Sequence, residues 1–288
     1  MRRIGFFKRK APAEAILYIC VSAMFMVVAI SYIYIFVFAF IASLKTHTEV
    51  VMNPFGLPEI WQWQNYKDIL NMLKIGDNNF WDMTFNSLYF SIVGTLLGQY
   101  ISMTFAYACT KYKFPGSDFI YTLIMVVITL PIYGASGARY RLLYSLGWID
   151  SYAYVLTSCS GFGMGYLFYR SAFQNMSWAY AEAVMIDGGN AFDIYYRVMA
   201  PQMKPLFGAL FVTNWLMSWN SLTTALIYHP NLPTLPVGIY QFSNEMIYRA
   251  RMDVLFAACV VVCIPALIVF VAFNKTITTS VSIGGLKG

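Results

Sequence analysis

Charge is scarce in this sequence. Of its 288 residues only 11% are Asp, Glu, Lys or Arg, against roughly 25% in an ordinary soluble domain. No GxxxxGK[ST] loop occurs, so the chain lacks the glycine-rich cradle with which many proteins bind and hydrolyse ATP. The nearest glycine cluster, Gly284-Gly-Leu-Lys-Gly288, has no helix after it to aim amides at a phosphate. The two histidines, His47 and His229, fall in expected loops without metal-ligand spacing. HExxH, GxSxG and paired carboxylates are missing from the apolar runs, so the nucleophile and base of an intramembrane hydrolase cannot be assembled. Five cysteines lie in or at the edges of apolar segments. Cys259 and Cys263 are one helical turn apart but no His or carboxylate joins them, which reads as packing rather than metal binding.

What is present is apolar. Hydrophobic residues make up 59% of the chain. Residues 16–44 and 254–273 each run about 20 residues or more without a charge, enough to cross ~30 Å of hydrocarbon. Both are expected to be helices, because lipid offers no partner to an open backbone. The basic opening MRRIGFFKRK precedes an apolar run about twice as long as a secretory h-region of ~7–15 residues, so it reads as a retained anchor. With the bases placed at membrane ends, the net charge of +6 implies no nucleic-acid partner.

Four further spans are expected at 86–110, 119–138, 152–173 and 206–228, giving an all-α polytopic membrane protein with six transmembrane helices. Twelve of the nineteen Lys and Arg fall in segments on the side of the N-terminus and seven on the other side. The positive-inside rule then places residues 1–15, the 174–205 loop and the 275–288 tail in the cytoplasm of a multi-pass cell-membrane protein. The long outer segment 45–85 is broken by Pro54, Gly56 and Pro58 before an aromatic stretch at 61–66. It reads equally as a surface docking element or as a structured linker.

The spans contain neutral polarity. Asn214, Ser218, Ser221 and Thr224 share a face of the fifth span, with Trp215 and Trp219 flanking it and Asn220 on a different side. Uncharged hydrogen-bonding groups beside indole faces suit a sugar, which presents hydroxyls at its edge and CH groups on its face. Helix–helix hydrogen bonding is the competing reading. Tyr133, Tyr166 and Tyr169 are lesser pathway candidates, since aromatic residues near span ends also form interfacial belts.

Residues 182–205, EAVMIDGGNAFDIYYRVMAPQMKP, interrupt this apolar chain with three acids, two bases, a Gly-Gly and two prolines. Residues 178–187 favour a short helix that Gly188-Gly189 ends. Asn190 and Asp193 have capping-box spacing and start a second helix, which Pro201 and Pro205 stop. A helix–turn–helix knuckle results. Phe192, Tyr195, Tyr196, Val198 and Met199 give it more apolar surface than a solvated loop needs, so part of it is expected to meet another protein.

This block resembles the cytoplasmic EAA signature of ABC importer permeases. Glu182, Ala183, Gly188, Val198 in the isoleucine place and Pro201 match, and Asp187 fits the DG form of sugar importers. Val184 replaces the third alanine, Ala200 a leucine, and Ser177 stands where sugar permeases often carry proline. Trp219-Asn220 followed by Leu232-Pro-Thr-Leu-Pro-Val237 is similar to the WN…TLPVG region of maltose-type carbohydrate permeases, Gly284–Gly288 to their C-terminal GAVKG, and Lys113-Phe-Pro-Gly116 to their short basic inner loop. The likeness runs from the second span onward, which makes 86–274 the permease core.

The resemblance implies a non-catalytic transmembrane subunit of a binding-protein-dependent importer for carbohydrate, with oligosaccharide as the expected substrate. It implies a second homologous permease, two ATPase subunits that hold the ATP and Mg, and an extracytoplasmic solute-binding protein as partners; this chain binds no cofactor. Glu182, Ala183, Asp187, Gly188, Gly189, Phe192 and Pro201 are the residues implied for ATPase coupling, with a cap or a solvated surface charge as the competing role for each acid. Asn214, Trp215, Ser218, Trp219, Asn220, Ser221 and Thr224 are the candidate substrate pathway. A permease for a peptide or polyamine is the alternative within transport. A secondary carrier or intramembrane enzyme is the alternative outside it, and the shortage of intramembrane acids and bases argues against both.

Overall fold

A computed structural model of the protein describes residues 12–112, 114–130, 135–249 and 251–285. The basic stretch 2–10, Lys113, Tyr133 and the 286–288 end of the C-terminal motif lie outside the described residues. The described residues are helical with one isolated antiparallel bridge, Ile75 with Asn78. Among the described residues, three helices are long and apolar enough to cross a membrane: Ile16–Ser43, Phe80–Lys111 and Met252–Phe273.

The other three expected spans are not single long helices. In place of 119–138 stands Ser117–Thr129, whose 13 residues rise only about 20 Å. It ends where Leu130 turns extended ahead of Pro131, whose ring disfavours the helical region for its predecessor. The 152–173 segment divides into a 3-10 turn, Tyr152–Ser158, and a helix, Met164–Gln174. Gly161 (φ 65°) and Gly163 (φ 145°) stand in the gap with backbone angles that a side chain disfavours. The 206–228 segment breaks at Asn220 and Ser221, between Lys204–Trp219 and Leu222–Tyr228. Breaks of this kind survive at membrane depth where protein or a polar cavity satisfies the freed backbone.

The chain forms two compact units, Met1–Met72 with Ser243–Val261, and Leu73–Phe242 with Val262–Gly288. In the first, the Pro12–Ser43 helix is apolar on every side and exposed along most of its length, as a lipid-facing span should be. Its far end is tied into the 45–72 segment. Lys45 is wholly buried and its Nζ donates to Asn53 O (2.6 Å) and Pro54 O (3.1 Å). Asn65 Nδ2 donates to Ser43 O (2.9 Å) and Lys45 O (3.0 Å). Arg251 bridges the carboxylates of Asp68 and Asp253. These ties favour the structured-linker reading for 45–72, although Trp61 and Trp63 remain exposed.

In the second unit the Phe80–Lys111 span contains a π turn at Tyr89–Val93. Its later half packs on the Met164–Gln174 helix. Their shared core includes Met103, Ala106, Tyr107, Cys109, Tyr166, Tyr169 and Phe173. Tyr166 and Tyr169 are therefore buried packing residues rather than pathway groups. The Tyr169 hydroxyl is satisfied by Gln99 Oε1 at 2.8 Å.

Candidate functional site

The knuckle folds by the rules legible in its sequence. A helix at Ala179–Ile186 ends in a Schellman turn: Gly189 N–H donates to Val184 O (2.8 Å) and Gly188 N–H to Met185 O (3.0 Å). Gly188 has φ 78°, which glycine adopts without the strain a Cβ brings. Gly189 has a different constraint. A Cβ there would lie 2.5 Å from Val184 Cγ1 and 3.0 Å from Val184 O.

The second arm starts on a complete capping box. Asn190 Oδ1 accepts from Phe192 N (2.9 Å) and Asp193 N (3.1 Å), while Asp193 Oδ2 accepts from Asn190 N (3.0 Å). Asp193 also pairs with Arg197 at 3.1 Å. Beyond the cap the helix widens into a π turn, Ile194–Met199, in which Ala200 N–H reaches back five residues to Tyr195 O. Pro201, with no N–H to donate, follows directly and sits in the first turn of the short helix Ala200–Gln202.

The apolar residues of the knuckle divide between two tasks. Ala181, Ile194, Tyr195 and Met199 are buried in the core that holds the Phe80–Lys111 and Met164–Gln174 helices together. Tyr195 Oη lies 2.7 Å from Thr104 Oγ1, and Tyr196 Oη lies 2.6 Å from Tyr100 Oη. Facing outward are Glu182, Ala183, Asp187, Ile186 (85% exposed) and Phe192 (73% exposed). Phe192 stacks on Tyr196 with rings 5° from parallel. Neither the Glu182 nor the Asp187 carboxylate has a hydrogen bond or ion pair among the described residues. Two free acids beside an exposed aliphatic and an exposed ring make a surface suited to a basic, partly apolar groove. Tyr195 and Met199, expected to help form a contact surface, instead root the knuckle in the bundle. Ile186 was missed; its signal is an isoleucine at the end of a short helix, directly before Asp-Gly-Gly.

Two cavities open in the same unit. The first, about 300 Å³, is lined by Thr95, Gln99, Ser102, Ser158, Asn214 and Ser218, with glycines 94, 98, 163 and 165 forming much of the wall. The second, about 410 Å³, shares Ser158 and Ser218 and continues along Ser221 and Thr224. The four polar residues expected on one face of the fifth segment thus line adjoining cavities, although the helix between them is broken. Asn214 Nδ2 donates to Leu210 O (2.8 Å), and Ser221 Oγ to Thr224 Oγ1 (2.7 Å).

The indoles do otherwise. Trp215 and Trp219 are 1% and 2% exposed, stack on each other at 5.3 Å, and line neither cavity. Two large rings one turn apart bury more apolar surface together than either would beside a polar space. Asn220 points elsewhere, its Nδ2 donating to Leu216 O (2.8 Å). Gln99, Ser158 and Thr95 were missed. Gln99 carried a signal, as an amide inside the apolar 86–110 segment.

An apolar bundle with lipid-facing spans and hydroxyl-lined internal space is the build of a membrane transport component. Residues 98–283 match the family described as binding-protein-dependent transport system inner membrane component, and the chain belongs to that family. It is 27% identical over 285 residues to the arabinooligosaccharides transport system permease protein AraQ of Bacillus subtilis (strain 168), covering 97% of this chain and 99% of that protein. It is 26% identical over 251 residues to the diacetylchitobiose uptake system permease protein NgcG of Streptomyces coelicolor (strain ATCC BAA-471 / A3(2) / M145), covering 86% and 82%. The fold matches a chain in a crystal structure of a bacterial ABC transporter involved in the import of the acidic polysaccharide alginate. That match has a TM-score of 0.76 and 19% identity, and covers 93% of this chain and 99% of the other.

Proposed function

We propose that this protein is the permease subunit of an ATP-driven importer for oligosaccharide, paired with a second homologous permease to enclose the pathway. The knuckle carries this reading. It presents Glu182, Ala183, Ile186, Asp187 and Phe192 outward, and is rooted through Ile194, Tyr195 and Met199 in the core that holds two bundle helices. A push on its outer face is transmitted to packed helices rather than absorbed by a loose loop, because packed interiors deform little. In this reading the knuckle and both termini lie in the cytoplasm, where two ATPase subunits hold ATP and Mg and receive the knuckles of the two permeases. A solute-binding protein delivers sugar from the other side. The neutral hydrogen-bonding walls of the two cavities suit saccharide hydroxyls, and the similarity to permeases of arabinooligosaccharides and diacetylchitobiose systems points the same way.

The test is reconstitution of this chain with its partner permease, ATPase subunits and binding protein in proteoliposomes. ATP-dependent uptake of a labelled oligosaccharide is expected, together with ATPase activity stimulated by the loaded binding protein. Uptake by this chain without any ATPase subunit would overturn the coupling.

A further inference from the structure

The segment that follows the first span is built inside out. Its polar groups are turned inward: Lys45 and Asn65 are buried, the first on the carbonyls of Asn53 and Pro54 and the second on those of Ser43 and Lys45. The Glu49 carboxylate is likewise held by the segment's own backbone, accepting from Thr46 N (2.9 Å) and Glu59 N (2.7 Å). Its large apolar side chains are turned outward. Met52, Phe55, Leu57, Ile60, Trp61 and Trp63 are each more than half exposed, Met52 and Phe55 at 80%. Between Val50 and Tyr66 the only charged residue is Glu59. A loop surrounded by water has the reverse arrangement, with charge outside and large apolar groups inside.

The segment also folds back along the span instead of leading away from it. The Phe55 ring lies 6.1 Å from that of Phe38, which lies 6.1 Å from Tyr34. Tyr34 is half exposed, so a row of rings runs from the open side of the Pro12–Ser43 helix onto the segment. Phe38 stands five residues short of the helix end at Ser43, which is about 7.5 Å along the axis. Elements that lie in a bilayer surface bury their apolar face to roughly 5–10 Å, and indole rings collect at that level.

We infer that residues 50–63 rest in the lipid leaflet at the Ser43 end of the first span, with Phe55 at the acyl boundary beside Phe38 and with Trp61 and Trp63 among the headgroups. The lipid-facing surface of the span then continues over the segment, and buried Lys45 fixes the turn at Asn53 and Pro54 that brings it there. This depends on the span's place in the membrane and not on the substrate, so it stands or falls apart from the oligosaccharide reading.

The experiment places a nitroxide at Met52→Cys, Leu57→Cys and Ile60→Cys, one at a time, with the five native cysteines changed to serine. The chain is assembled with its partner subunits in phosphatidylcholine nanodiscs. Each label is expected to relax faster with dissolved oxygen, which concentrates in lipid, and to lose its response to a water-soluble nickel chelate. A label relaxed by nickel faces water and overturns the inference. A label shielded from both is covered by protein, such as the second permease, and overturns it too. A second measurement leaves the cysteines in place. Trp61→Phe combined with Trp63→Phe removes two indoles, and the fluorescence lost relative to wild type is expected to be a part that acyl-brominated phosphatidylcholine quenches and aqueous iodide spares. Quenching of that part by iodide, or by neither agent, overturns the placement. So does failure of the double variant to assemble, because a Phe ring keeps a lipid contact whereas a protein interface shaped for indoles loses its fit.

Discussion

Val184 Cγ1 occupies the space that a Cβ on Gly189 would need, at a separation of only 2.5 Å. The branched residue that replaces the third alanine of the signature and the second glycine of the turn are therefore a matched pair. Gly189→Ala is expected to cost about 1–3 kcal/mol by overpacking. Val184→Ala in the same chain should recover most of that loss. Amide exchange across residues 179–202, measured for both single variants and the double, reads the coupling; simple additivity would refute the pairing.

The outward face of the knuckle can be altered without touching its root. Ile186→Asp and Phe192→Ser change residues that are 85% and 73% exposed, so the melting temperature of the purified chain should stay near that of wild type. Co-purification with the ATPase subunits and ATP-driven uptake should both fall, about tenfold or more if these side chains sit at the centre of the contact. Full uptake in both variants would remove the docking role.

Asn190→Ala deletes the cap that satisfies the amides of Phe192 and Asp193. A loss of about 1 kcal/mol is expected, concentrated in the second arm of the knuckle. Faster exchange of the 191–199 amides, with the Ala179–Ile186 helix unaffected, is the measurement.

The cavities should be sensitive to bulk at the residues they share. Ser218→Leu fills the junction between the two spaces while conserving helix propensity. Uptake should fall with ATPase assembly unchanged, and retained uptake would place the route elsewhere.

Acid should weaken the region around His229. Its pKa is about 4 in the folded chain, lowered by burial, against about 6.5 unfolded. The neutral ring's contribution is fully present above about pH 6.5 and is lost as pH falls toward 4, because the unfolded state binds the proton first. The drop in melting temperature between pH 7.5 and 4.5 in detergent should be smaller for His229→Gln than for wild type.

The parts of the fold that were legible in the sequence are those written in local chemistry. The apolar runs 16–44 and 254–273 have no alternative in lipid, and the Gly-Gly turn with its Asn190–Asp193 box reports itself in eight residues. The breaks were not legible. The 152–173 segment reads as one apolar stretch, and only tertiary packing decides that Gly161 and Gly163 interrupt it. The polar stripe from Asn214 to Thr224 presumes a continuous helix, which the structure interrupts at Asn220 and Ser221. Helical spacing sets Trp215 and Trp219 beside that stripe, but their burial against each other depends on neighbours that no local pattern names.

The π turn at Tyr89–Val93 acts as a phase shift in an otherwise α-helical span. One extra residue there rotates everything beyond it by ~100° relative to a uniform α-helix. Before the shift, Asn86 Nδ2 donates to Pro233 O and Ser87 Oγ accepts from Leu235 N, which fastens the span to the loop ahead of the Leu235–Arg249 helix. After it, Thr95, Gln99 and Ser102 turn toward the first cavity. Fastening and cavity-lining halves are thus indexed independently on a single helix, and adding or removing one residue at 89–93 re-aims the second half while the first stays anchored.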